Sequence, residues 1–302
     1  MAGKSPLVTL NNGVQMPALG LGALDRSTLD KIADAVEAAM AKGYRLVDTA
    51  AAYNSERQVA EGIARSGVDR SEVFVTTKLW LSDYGYDSAL RAFELSLRKL
   101  GSGYVDLYLL HWPLPSDFEA TIESFRAAVT LLAEGQVRAV GVSNFGPRHL
   151  ETLIERTGVV PAVNQVELHP SFTQRELRAA RARLGIVTQS WSPLGNSVRR
   201  AGGPGAAGDP LAHPTVVGLA ARHRKIPAQV VLRWHLQHGL SAIPKSVRPE
   251  RVAENIDVFD FALSAADMAA IDAMDTGARS SPDPDAVHAA TFPIRVEDEV
   301  ST

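Results

Sequence analysis

The chain is predicted to fold as an α/β protein, a (β/α)8 barrel, from three features of its sequence. Eight strand-then-helix units follow one another at a spacing of roughly 30 residues. The strand stretches are apolar throughout rather than alternating, as in a parallel sheet covered by helices. An open doubly wound sheet often carries a glycine-rich turn after its first strand, and Leu21-Gly22-Ala23-Leu24 is no such turn. The length of 302 residues suits one closed barrel. Residues 1–302 are therefore expected to form a single domain: a hairpin over 7–16, a barrel over about 18–260, and a C-terminal extension over about 261–302.

In order, Leu7-Val8-Thr9-Leu10 and Val14-Gln15-Met16 flank Asn11-Asn12-Gly13, a hairpin turn. The first strand is 18–22, with glycine where something approaches the backbone closely. Leu29, Ile32, Val36 and Met40 form one helical face, closed by Gly43. Leu46-Val47 is a strand, and Ser55 is placed to cap a helix carrying Val59 and Ile63. Strands at 73–77 and 105–110 precede helices with Leu90, Phe93 and Leu97, then Ile122, Phe125 and Val129. The second half repeats the pattern with strands at 138–142, 162–166, 186–190 and 240–243. Pro147 leads one helix, another surrounds Leu177, and two more run over 214–221 and 227–238. A last helical turn near 252–259 precedes a helix with Ala265, Met268 and Ile271, then a polar tail.

Composition narrows the function. A formal net charge of -3 gives no electrostatic case for nucleic acid or an anionic membrane. The absence of cysteine excludes disulfides, thiolate catalysis and cysteine-ligated metal. Residues 1–10 have no signal-peptide core and no stretch approaches a membrane span, so a cytoplasmic monomer acting on a small molecule is expected. Gly203-Pro204-Gly205-Ala206-Ala207-Gly208 spells G-x-G-x-x-G, but it lies in a Gly/Ala/Pro loop rather than between a strand and a helix. It reads as a surface loop.

The strand ends carry the chemistry. Barrel active sites form at the C-terminal rim of the strands. Asp48, Lys78, His111, Ser143-Asn144, Gln165, Trp191 and Lys245 end seven successive strands, and Tyr53 stands in the turn after Asp48. A lone His or Lys at a strand end is ordinarily a solvated group; the coincidence around one rim is the signal. A tyrosine is a poor acid–base catalyst alone, with a pKa of about 10. A buried ammonium beside it favours the phenolate, and a carboxylate keeps that ammonium charged. The sequence thus predicts a phenol pKa lowered by ~2 units, with a neutral histidine orienting a carbonyl. This apparatus suits carbonyl reduction and requires a hydride from a nicotinamide cofactor. Ser143, Asn144 and Gln165 could bind its carboxamide and Trp191 stack on its ring, while 243–251 brings cations to a helix start suited to an anion.

These residues make the chain resemble the aldo-keto reductases over nearly its whole length, most closely the bacterial 2,5-diketo-D-gluconate reductase type. Gly43-Tyr44-Arg45-Leu46-Val47-Asp48-Thr49-Ala50, Gly141-Val142-Ser143-Asn144-Phe145 and Asn164-Gln165-Val166-Glu167-Leu168-His169-Pro170 carry the resemblance. It implies a catalytic tetrad of Asp48, Tyr53, Lys78 and His111, and NADPH bound without a Rossmann domain. It further implies that Lys245, Ser246 and Arg251 grip the 2′-phosphate, that Glu254 and Asn255 meet the adenine, and that Ser192 and Leu194 begin the loop over the pyrophosphate.

Three departures from the family pattern bear on the site. Trp191 stands where tyrosine or phenylalanine is common, Asn54 replaces a frequent glycine, and Ala23-Leu24 replaces an aromatic after the first strand. Trp80 and Trp112, with Ala23, Leu24 and the 283–302 tail, are expected to line the substrate pocket. Two other readings are a cofactor-binding regulatory subunit of the potassium-channel β type, which loss of a tetrad member would have favoured, and a barrel hydrolase using Glu167 with a second carboxylate.

Overall fold

The computed structural model describes residues 5–24, 28–195, 209–277, 279–292, 294 and 296. The glycine-rich stretch 203–208 lies outside them. Strands β1 (Leu7–Thr9) and β2 (Gln15–Pro17) form an antiparallel hairpin. Its Leu10 and Met16 are buried against Leu46, Phe74, Leu107 and Leu109. Asn11 and Asn12 donate to the carbonyls of Val160, Pro161 and Arg138, so the hairpin plugs the end of the barrel where the strands begin.

Eight parallel strands follow in consecutive order: β3 (Leu21–Gly22), β4 (Leu46–Asp48), β5 (Phe74–Leu79), β6 (Val105–Leu110), β7 (Val137–Ser143), β8 (Val163–Glu167), β9 (Val187–Trp191) and β10 (Ser241–Ala242). The last meets the first through parallel bridges at Leu19–Ala242 and Gly22–Lys245. Gly20 N–H donates to Ala242 O at 2.9 Å and Ala242 N–H to Ala18 O at 2.8 Å, which closes the cylinder. Gly22 is required at this seam, since a Cβ there would sit 2.9 Å from the Ile243 carbonyl oxygen.

Ten helices are described: α1 (Ile32–Ala41), α2 (Glu56–Ser66), α3 (Tyr86–Leu100), α4 (Phe118–Ala133), α5 (Pro147–Thr157), α6 (Arg175–Arg183), α7 (Pro214–His223), α8 (Pro227–Gln237), α9 (Pro249–Ile256) and α10 (Ala265–Asp272). Apolar faces such as Val36, Phe93, Phe125 and Leu150 join one core cluster with Val47, Val75 and Tyr108 of the strands. Burying each such side chain contributes about 1.5–3 kcal/mol. No helix among the described residues is long and apolar enough to cross a membrane.

Two local readings change. The helix expected near 252–259 starts at Pro249, whose ring suits a first helical position. Ser55 stands before α2 without capping it. Its hydroxyl donates instead to Ala23 O at 3.0 Å and pairs with Thr49 Oγ1 at 2.9 Å, tying the loops after β3 and β4 together.

Candidate active site

At the floor of the C-terminal mouth lies a buried ion pair. Lys78, on β5, is fully buried, and its ammonium donates to Asp48 Oδ1 at 2.5 Å and Thr49 O at 2.8 Å. The other Asp48 oxygen accepts from Gln165 Nε2 at 2.7 Å. Burial pushes the Asp48 carboxyl up and the Lys78 ammonium down, and their contact opposes both shifts.

In front of the pair stands Tyr53, on a single 3-10 turn, Ala51–Tyr53. Its hydroxyl is 3.4 Å from His111 Nε2, and Lys78 Nζ is 4.9 Å from its ring centroid. Asn54 completes the turn at φ +56°, a left-handed conformation that asparagine tolerates better than most side chains. This accounts for asparagine where glycine was the common residue. His111 follows β6 directly; burial, then the Lys78 charge, holds its imidazole well below the usual histidine range. It is neutral at pH 7, and its Nδ1 has no partner among the described residues.

The phenol behaves differently from the sequence expectation. Burial, followed by the Asp48 carboxylate, pushes Tyr53 well above 10 rather than below it. The reason is geometric: the Lys78 charge is spent on Asp48 and Thr49 at hydrogen-bond distance, so the phenol sees a pair and not a lone cation. Tyr53 therefore carries its proton at neutral pH, the state a proton donor needs.

The cavity above these groups has a volume of about 1110 Å³. Asp48, Tyr53 and His111 line it, whereas Lys78 lies behind them. On one wall, Ser143 Oγ donates to Gln165 O, Asn144 Nδ2 donates to His111 O, and Trp191 Nε1 donates to Asn144 Oδ1 at 2.9 Å. That last bond fixes the indole plane and is unavailable to phenylalanine at this position. Asn144 and Ser192 hold left-handed backbones, φ +65° and +51°, clustering strain at the site. Pro193 accepts from His235 Nε2 of α8 at 3.1 Å, so Ser192, Pro193 and Leu194 keep a defined edge on the cavity.

At the far end Lys245, Ser246, Arg248 and Arg251 gather around the start of α9, with Glu254 and Asn255 one turn on. Arg248 belongs to the cationic 243–251 stretch without an individual role assigned to it from the sequence.

Trp80, Trp112 and Leu24 line the opposite end, but Ala23 does not. It is 1% exposed and packs in the core, with its N–H on Asp48 O and its carbonyl on Ser55. Phe292 and Ile294 of the C-terminal segment line this end too. The Phe292 ring lies 5.5 Å from Trp80 and 5.1 Å from Trp112, centroid to centroid. Trp80 in turn meets His111 edge-on at 4.9 Å. Both fall within the 283–302 tail expected to line the pocket, where they are large apolar residues in a polar stretch.

A closed barrel with a buried Asp–Lys pair behind a Tyr–His pair defines a barrel oxidoreductase of the carbonyl-reducing class. The chain matches the aldo/keto reductase family over residues 18–276, and it belongs to that family. It is 55% identical to a morphine 6-dehydrogenase of Pseudomonas putida, over 97% of this chain and 99% of the relative. It is 45% identical to a glyoxal reductase of Bacillus subtilis, over 92% and 96%. Among solved structures it is similar to a Gox0644 mutant in complex with NADPH, at TM-score 0.86 and 44% identity, covering 94% of this chain and 98% of the other. A Bombyx mori aldo-keto reductase in complex with NADP gives TM-score 0.84 and 36% identity, covering 93% and 96%.

Proposed function

We propose that the protein reduces aldehydes and ketones, including dicarbonyls and keto-sugars, to alcohols with NADPH, with Tyr53 as the general acid. The observation that carries this is the Tyr53 hydroxyl, protonated at neutral pH, 3.4 Å from a neutral His111 at the cavity floor. His111 donates a hydrogen bond to the carbonyl oxygen and holds it against the phenol. Tyr53 delivers its proton as negative charge develops on that oxygen, and the Lys78 ammonium, paired with Asp48, stands 4.9 Å from the ring of the phenolate left behind.

The cavity fits the cofactor. It is long, it has an aromatic face at Trp191 held by Asn144, and it ends in cationic side chains at a helix N-terminus. Ser143, Asn144 and Gln165 would hold the carboxamide and Trp191 the ring. Ser192 and Leu194 would border the pyrophosphate, Lys245, Ser246 and Arg251 would hold the 2′-phosphate, and Glu254 and Asn255 the adenine. When bound, the reduced nicotinamide supplies the hydride. The apolar end at Trp80, Trp112, Leu24 and Phe292 would receive the substrate, and glyoxal reductase among the relatives is in keeping with dicarbonyls.

The regulatory-subunit reading loses ground because all four tetrad residues are present. The hydrolase reading loses its carboxylate, since Glu167 is occupied by Ser280, Ser281 and His169. The test is NADPH consumption with a panel of aldehydes and dicarbonyls. Tyr53→Phe is expected to lower kcat at least ~100-fold while NADPH binding persists. An active Tyr53→Phe enzyme would refute the assignment.

A further inference from the structure

We propose that Glu167 is a positioning residue, resting on the reductase reading above: it clasps the C-terminal segment and so holds Phe292 as a wall of the carbonyl pocket. Glu167 is the last residue of β8 and only 2% exposed. One carboxylate oxygen accepts from His169 Nε2 at 3.2 Å, Ser280 N–H at 3.1 Å and the Ser280 hydroxyl; the other accepts from Ser281 N–H at 3.0 Å. Burial opposes its ionisation, but these donors outweigh burial and hold the carboxyl at about 2.

The surrounding loops repeat the lacing. Thr276 N–H and hydroxyl both donate to Ser171 O, at 3.0 and 2.9 Å. Thr173 donates from its N–H and its hydroxyl to Asp275. Downstream, Asp285 meets His149 Nε2 at 3.4 Å, and Val287 is 1% exposed among Trp80, Leu81 and Trp112. Eleven positions beyond the clasp, Phe292 reaches the two tryptophans, and Trp80 reaches His111. A strand-end carboxylate on one side of the mouth thereby sets the place of an aromatic ring on the other. A buried carboxylate fed by two backbone N–H groups suits this role. If either partner moves, a charge or a donor is left unsatisfied in a poorly solvated place, so one arrangement of the segment is selected.

The test uses the full chain and three substitutions, Glu167→Gln, Ser280→Ala and Phe292→Ala. Hydrogen exchange over 279–292 reads the clasp. The ratio of kcat/KM for a bulky aromatic ketone to that for a small dicarbonyl reads the wall. Glu167→Gln is expected to speed exchange over 279–292 about tenfold and to lower the ratio about tenfold, mainly through KM for the bulky ketone, the size of one lost apolar contact. Phe292→Ala should lower the ratio equally, and adding Glu167→Gln to it should lower it no further. Ser280→Ala, which spares the barrel, should act in the same direction with smaller effect and carries the test alone if Glu167→Gln does not fold. Unchanged exchange, equal losses for both substrates, or additive losses in the double variant would each overturn the proposal. If the unaltered protein reduces no carbonyl, the reductase reading fails, while the exchange measurement still decides the clasp.

Discussion

Asp48 and Lys78 form a charge pair that neither residue could sustain alone at that depth. Asp48→Asn leaves the Lys78 ammonium facing a carbonyl and an amide, and such half-broken buried pairs cost about 3–5 kcal/mol. A denaturation midpoint lowered accordingly is expected, together with loss of turnover. An Asp48→Asn protein as stable as the parent would mean that Lys78 is neutral there. The places of Asp48, Lys78 and His111 were legible in the sequence because they stand at or directly beyond strand ends, and that of Tyr53 because it stands in the turn after Asp48. The electrostatic state of Tyr53 was not, because it depends on which of two acceptors the ammonium reaches, and that is set by ångström-scale geometry across β4 and β5. Ala23 failed for a related reason. It stands beside pocket-lining Leu24, and no sequence feature says which of two neighbours faces the mouth.

At the scale of elements, the strands were readable because parallel strands covered by helices are apolar on both faces. Helix starts at Pro147, Pro214, Pro227 and Pro249 carry a local signal that the structure uses directly. Ser55 shows the limit of local signals: its hydroxyl is drawn to Ala23 O, a tertiary partner 32 positions away. Phe292 exposes another limit, since its partners Trp80 and Trp112 lie some 200 positions earlier and no periodicity links them. The start of α9 yields a sharper expectation. Arg251→Ala should weaken NADPH roughly tenfold or more and NADH far less, as read by fluorescence titration, because it removes a charged hydrogen-bond donor. Equal weakening would place the phosphate on other groups of this face, among them Lys245, Ser246 and Arg248.

For the whole molecule, two deeply buried histidines contribute to the response to acid. His235 is held at about 3 by burial, with Nε2–H donating to Pro193 O and Nδ1 accepting from Ser190, and His111 is also held well below its ordinary value. A depressed histidine pKa means that the unfolded chain binds protons the folded one refuses. Stability is therefore full above pH ~6.5 and falls as pH drops below it. His235 alone should remove about 2 kcal/mol between pH 7 and pH 5. Urea midpoints across that range should fall in the parent and fall less in His235→Gln; parallel curves would locate the acid sensitivity elsewhere.

The junction where the last strand meets the first is the thinnest part of the wall, two residues on each side with bridges at Leu19 and Gly22. Gly22 and 243–246 also border the cavity, so a dinucleotide lying there would span the joint like a rivet across a barrel stave. Saturating NADPH should then slow amide exchange first at 18–22 and 241–245, before the distant β5–β6 pair responds, and raise the melting temperature in step with ligand concentration.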